Sequence, residues 1–180
     1  MANLEAGVKA GEAERGMSSY TSLPAVVAKG KMSLEEALRR RRSLREFSPK
    51  PLTEAQLAQL LWAAQGITEP EEGLRTTPSA GALYPLEIYV ATAAGFFHYQ
   101  VLRHRLRRCS ARDLRPELYR AALRQDFLLQ APALFVITAV YERTAQKYGA
   151  VRTPRYVHLE AGHAAQNLLL QAVALGLGAV

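Results

Sequence analysis

At 180 residues and 49% hydrophobic, the chain suits one globular domain with a real core; two domains would each be small. Its net charge of +7 points to anionic partners (nucleic acid, an acidic surface or a phosphorylated cofactor) and says nothing about fold. A charged content of 22% argues against wholesale disorder, the single cysteine excludes an intrachain disulfide framework, and no apolar run approaches the roughly 18 residues of a membrane span.

Residues 1–30 are rich in Ala, Gly, Glu and Ser without a sustained period, and read as a loose tail that orders against a partner subunit. No basic-then-apolar signal pattern opens the chain, and the expected location is a reducing cytoplasm. A domain over 31–180 follows. Ser33-Leu34-Glu35-Glu36 has the form of a capping box, opening a helix with Leu34, Ala37, Leu38 and Arg41 on one face. Thr53-Glu54-Ala55-Gln56 is a second box. Its helix places Leu57, Leu60, Leu61 and Ala64 on one stripe and stops at Gly66. Residues 67–85, punctuated by Pro70, Gly73, Pro78, Gly81 and Pro85, read as one long loop.

Leu86 to Thr92 alternates as a strand, Gly95 marks a turn, and Phe96 to Leu102 reads as the returning strand. The stretch from Arg103 to Arg115 reads as a basic segment, with Cys109 a bystander in it. Asp113 and Pro116 announce another helix. Ala133 to Val140 is a continuous apolar run, the pattern of a strand buried on both faces. Tyr141 to Gly149 reads as a short helix or lid-like segment. From Tyr156 to Leu175 the chain is apolar nearly all round, which predicts a buried helix.

Four motifs bear on chemistry. Arg41, Arg42, Ser43 and Arg45 gather donors that match phosphate oxygens, although cations also simply favour helix C-termini. Pro78, Ser79, Ala80 and Gly81 are stiff and small, so a flat ligand could lie against their backbone; an ordinary Pro/Gly turn reads the same way. Lys147 beside Tyr148 could act as acid and base if both side chains point the same way. His158 and His163 are separated by about 140 degrees around a helix, which argues against a metal site; His163, Gln166 and Asn167 read as buried polar groups needing partners. Aromatics do not interleave with the arginines as a nucleic-acid stacking platform requires.

Taken in order, these segments resemble the nitroreductase-like flavin family, and within it the SagB-type dehydrogenases that include azoline oxidases. The likeness rests on Arg-Arg-Ser-x-Arg-x-Phe at 41–47, the Pro51–Gly66 helix, Pro-Ser-Ala-Gly-Ala-Leu-Tyr-Pro at 78–85, Lys147-Tyr148-Gly149, and Glu160-Ala161-Gly162-His163-Ala164-Ala165-Gln166-Asn167. It implies an α+β fold: a central, mainly antiparallel sheet flanked by helices, with a long buried helix near the C-terminus. It also implies a homodimer sharing two FMN sites and transferring a hydride between flavin N5 and a small organic or peptide-heterocycle substrate. Arg41, Arg42, Ser43 and Arg45 would hold the flavin phosphate and ribityl chain. Pro78, Ser79, Ala80 and Gly81 would lie near the ring, usually from the other subunit. Lys147 and Tyr148 would be the catalytic acid/base pair. Classical nitroreductases carry Asn and Gln where Ala82 and Tyr84 stand, which favours the SagB-type branch. Family members continue beyond the Gly-Leu-Gly-Ala segment into further flavin contacts and a dimer-embracing arm, so an unpaired sheet edge is expected here. A degenerate, flavin-free partner module is the alternative.

Overall fold

The computed structural model describes residues 20–180. Strand β1 (Tyr20–Ser22), inside the stretch read as a tail, pairs antiparallel with residues 105–107. The segment after it is tied down too. The Val27 amide donates to the side chain of Gln59 at 2.9 Å, and His104 Nε2 lies 3.0 Å from the Pro24 carbonyl. A carbonyl only accepts, so Nε2 carries the proton and Nδ1 accepts from the buried Tyr99 hydroxyl at 2.8 Å. The folded chain therefore starts at least as early as Tyr20, ahead of the boundary near residue 30.

Helix α1 (Leu34–Arg40) is capped by Ser33, whose hydroxyl accepts from the Glu36 amide at 3.2 Å. The box is only half made, because the Glu36 carboxylate turns to Arg40, one helical turn on. Helix α2 (Glu54–Gln65) carries the complete box at Thr53 and Gln56. It buries Leu60, Leu61 and Ala64 as expected, together with Gln59 and Gln65, which its apolar stripe did not announce. The long loop contains a small hairpin, β2 (Ile67–Glu69) with β3 (Leu74–Arg75), and ends in a single tight turn at Ala80–Ala82.

Strands β4 (Leu86–Thr92) and β5 (Gly95–Gln100) form the predicted hairpin. The returning strand stops at Gln100, and the Arg-rich stretch that follows is itself a strand, β6 (Arg105–Ser110). Helices α3 (Arg115–Ala121) and α4 (Phe127–Gln130) lead into β7 (Ala133–Ala139). The sheet runs β1-β6-β5-β4-β7 with every pairing antiparallel. Period-two alternation sends Ile88 and Val90 to one face, where they pack with Leu61, Ala64, Phe97, Tyr99 and Leu106. Ala91 faces the other way, against Ala131 and Leu134 with Leu118 and Leu128 around them. Truncating Leu61, fully enclosed, to Ala should cost about 2–5 kcal/mol.

Two expectations of burial are corrected. In β7 only Leu134 is buried. Among the described residues β7 has β4 on one side and no strand on the other, and an apolar groove of about 630 Å³ opens along it between Phe47, Leu52, Phe135, Leu168 and Val180. The last helix, α5 (Tyr141–Ala174), absorbs both predicted segments and is broken only at Gly149, whose φ of 72° and ψ of 161° interrupt the helical path. Its buried residues are Thr144, Thr153, Val157, Glu160, Ala164 and Ala172. An all-round apolar helix needs cover on every side, and within one chain α1, α2, β4 and the 80–82 turn provide it only in part. Leu159 is 54% exposed and Gly162 is open to solvent.

Candidate functional site

The turn before β4 is built against its own preferences. Gly81 has φ of 66°, but Ala82 at 54° and Tyr84 at 45° are also left-handed without being glycine. Each such residue costs about 1–2 kcal/mol. The surroundings hold them there. The Ser79 hydroxyl accepts from the Tyr84 amide at 2.9 Å, and the Tyr84 carbonyl accepts from Arg143 Nη1 at 3.0 Å. The Tyr84 hydroxyl accepts from the Arg75 amide at 3.3 Å, and the Arg75 guanidinium lies 4.3 Å above the ring. Strain retained by over-determination is characteristic of functional loops.

Lys147 and Tyr148 end the first part of α5. Adjacent helical residues diverge by about 100 degrees, so their convergence is not automatic. The chain leaves the helix at Gly149 immediately afterwards, and both side chains reach the same glycine. A Cβ placed on Gly81 would sit 2.9 Å from Lys147 Nζ and 3.0 Å from the Tyr148 hydroxyl. The Tyr148 ring packs at 4.6 Å against Tyr156 from beyond the break. Thr153, whose hydroxyl donates to the Gly149 carbonyl at 2.8 Å, secures that break. An amine and a phenol thus meet over bare backbone, an arrangement able to hold and move a proton beside a flat ligand.

Behind this turn lies a polar network that sequence reasoning did not foresee. Glu160 is buried on α5 and accepts from Ser79 and from Gln65 Nε2, the latter at 3.4 Å. Gln65 Oε1 accepts in turn from Arg75 Nη1 at 3.0 Å. Burial pushes the Glu160 carboxyl above its ordinary range; the hydrogen bonds from Ser79 and Gln65 and the Arg75 charge oppose that rise. Burial also lowers the Arg75 guanidinium, against the pull of Tyr84, Glu87 and Glu160. Asn167 Nδ2 donates to the Thr76 carbonyl and to Thr77, pinning the segment just before the turn. Of the three residues read as buried polar groups, only Asn167 is even half-buried; His163 and Gln166 face solvent. An acid inside an otherwise apolar helix was the signal for Glu160.

The arginine motif has other neighbours. Ser43 bridges Ala179 in parallel, and the Leu44 amide donates to the Ala179 carbonyl at 3.0 Å. Arg42 Nη1 turns back on the carbonyls of Arg39 and Arg41, and the Arg45 guanidinium lies 5.8 Å from the Phe127 ring. Among the described residues no carboxylate pairs with Arg41, Arg42 or Arg45, so their charge is uncompensated. The structure therefore brings Gly81, at the end of the 78–81 segment, to Lys147 and Tyr148, and sets Ser43 and Leu44 of the arginine motif beside the C-terminal segment instead.

Other candidates carry less. His158 Nε2 contacts the Tyr141 hydroxyl at 3.1 Å, and Cys109 is exposed on β6. Among the described residues no three His, Cys, Asp or Glu side chains gather as metal ligands, and no helix is long and apolar enough to cross a membrane.

Comparison with known proteins agrees with the fold. The sequence pattern of the Nitroreductase family matches residues 38–180. A protein of Methanocaldococcus jannaschii, described as "Putative nitroreductase MJ1384", is 46% identical over 155 residues, 83% of this chain and 77% of the relative. The trifolitoxin-processing protein TfxB of Rhizobium leguminosarum bv. trifolii is 29% identical over 116 residues, 57% of this chain and 30% of that protein. A crystal structure from Ralstonia eutropha, described in the same words as the archaeal relative, superposes with a TM-score of 0.80 at 35% identity, over 92% of this chain and 77% of that one. The E. coli microcin synthetase McbBCD complex, with truncated pro-MccB17 bound, matches at a TM-score of 0.62 and 23% identity, over 85% of this chain and 62% of that one, and shows likeness of fold.

Proposed function

The chain belongs to the nitroreductase family of oxidoreductases, and from that premise we propose that it is an FMN-dependent enzyme of the SagB-type dehydrogenase branch, working as a homodimer with shared sites. The observation that carries this reading is the meeting of Lys147 and Tyr148 over Gly81. The residues present fit the cofactor. Uncompensated Arg41, Arg42 and Arg45, with Ser43, suit a phosphate and the polar chain attached to it. Pro78, Ser79, Ala80 and Gly81 offer low relief to a flat ring. Bound flavin would supply two-electron chemistry that no side chain offers.

The chain's own part is the proton. Oxidising a ring of the azoline type removes two hydrogens, one leaving with the electron pair as hydride and one as a proton; Tyr148 or Lys147 takes the proton, and in the reductive direction the same pair returns it. Glu160, Gln65 and Arg75 hold Ser79 and Tyr84, and so fix the turn against which substrate would be pressed. The exposed leucines at 34, 38 and 159 (61%, 52% and 54% exposed) supply an apolar dimer surface beside the open face of α5. Similarity to the trifolitoxin-processing protein favours a peptide substrate. The 46% identity to the archaeal protein favours a small nitro or quinone compound as the second reading. The lone cysteine suits a cytoplasmic setting.

The test is turnover in reconstituted protein. Lys147→Met and Tyr148→Phe should retain flavin and lose about 10²–10⁴-fold in kcat, the usual worth of a positioned acid or base. Full activity in both variants would remove the pair from the mechanism.

A further inference from the structure

Beside the strained turn, with Tyr84 in its wall, lies a second, half-open recess of about 420 Å³. Arg75, Arg103 and Arg143 line it, together with Glu87, His98 and apolar groups including Leu102. The charges do not cancel. Glu87 is taken up twice within the protein, by Arg143 Nη2 and by His98 Nε2. Gln100 donates to His98 Nδ1, which leaves Nε2 as the donor to Glu87. Among the described residues Arg75 makes one side-chain hydrogen bond, to Gln65, and its buried Nε has no partner. Arg103 is exposed at the rim, and among the described residues no carboxylate pairs with it. Next to it Leu102 is 82% exposed, an apolar side chain held out at a charged mouth.

We propose that this cavity is a substrate-anchoring site for a carboxylate with an apolar body, Arg103 and Arg143 holding the carboxylate and Leu102 the body. A singly charged, planar carboxylate suits it better than a phosphate dianion, because Glu87 stands on the same wall. The site lies within reach of the centre described above. Arg143 is four residues before Lys147, about one helical turn and 6 Å along the same face of α5. The backbone between them is bridged by the turn itself, since Arg143 holds the Tyr84 carbonyl and Lys147 abuts Gly81. A molecule anchored by its carboxylate at Arg143 would direct its other end toward Lys147 and Tyr148.

The inference rests on the enzyme reading for its purpose, and its test does not need flavin. Calorimetric titration of the purified full chain with 4-nitrobenzoate, with 4-nitrobenzyl alcohol as neutral isostere and with inorganic phosphate, should show saturable binding of the benzoate and about tenfold weaker binding of the other two. Arg103→Gln, a surface change that leaves the fold untouched, should weaken benzoate about fivefold, the upper end for one partly exposed charge pair. Arg143→Gln should do so at least as strongly. The Arg41→Ala/Arg45→Ala variant should still bind benzoate whether or not it holds flavin, which separates this site from the phosphate motif. Equal affinity for acid and alcohol, or unchanged affinity in both Arg103→Gln and Arg143→Gln, would overturn the proposal. Tighter binding of phosphate than of benzoate would overturn its carboxylate assignment.

Discussion

The two halves of the candidate site are held in opposite ways. The turn at 78–85 is fixed from several directions: Ser79, Arg75 and Arg143 each bond Tyr84, and Glu160 backs Ser79. The arginine motif is fixed through its backbone, by Ala179, while Arg41 and Arg45 project charge that no carboxylate among the described residues answers. A pre-organised surface can impose geometry on a ligand before any ligand arrives. A set of uncompensated cations gains its order from the anion it binds. The first half should therefore control rate and the second affinity.

Gly81→Val offers the sharpest way to break the pre-organised half. The added carbons meet Lys147 and Tyr148 and must occupy a φ of 66°, so turnover should fall by about 10²-fold, a misplacement penalty, with flavin binding changed far less. A charge inserted into the open helix faces comes next. Leu38→Glu with Leu159→Glu should yield monomers in sedimentation and lose bound flavin, if the shared site needs both copies.

Glu160 sharpens the comparison through pH. Its folded pKa lies above the unfolded one, so its contribution favours folding below the ordinary carboxyl range and is lost as pH rises through the folded value. Melting temperatures of wild type and Glu160→Gln, followed from about pH 4 to about pH 8, should converge at the acid end. Toward neutrality wild type should fall relative to the variant, whose amide bears no buried charge. Parallel curves would mean that Glu160 is not desolvated. The smallest effect belongs to the distant cap: Thr53→Ala should lower stability by about 1 kcal/mol and leave both halves of the site working.

Where one period dominated, the chain could be read directly. Leu60, Leu61 and Ala64 announced α2, and Leu86, Ile88 and Val90 announced β4, because each side of those elements has a single environment. β6 escaped because its outward residues are arginines. Leu106 is its lone buried side chain, while Arg105 lies 3.7 Å over the Tyr20 ring and Arg108 5.7 Å from Phe97, contacts no alternation pattern records. Burial of β7 and α5 was overestimated for a related reason: apolar sequence states what needs cover, and says nothing of whether the same chain supplies it. At the site, Lys147, Tyr148 and Gly81 were legible as separate motifs, but their meeting depends on the helix break at Gly149. Arg75, Arg143 and Glu160 took their roles only from tertiary contact.

The proposed flavin site is completed by the arginine motif. It is tested most directly by adding excess FMN to the purified chain, desalting, and recording the visible spectrum beside the Arg41→Ala/Arg45→Ala variant. Stoichiometric flavin absorbance in the wild type and its loss in the variant is the predicted result. No retained flavin in the wild type, or equal retention in both proteins, would contradict it.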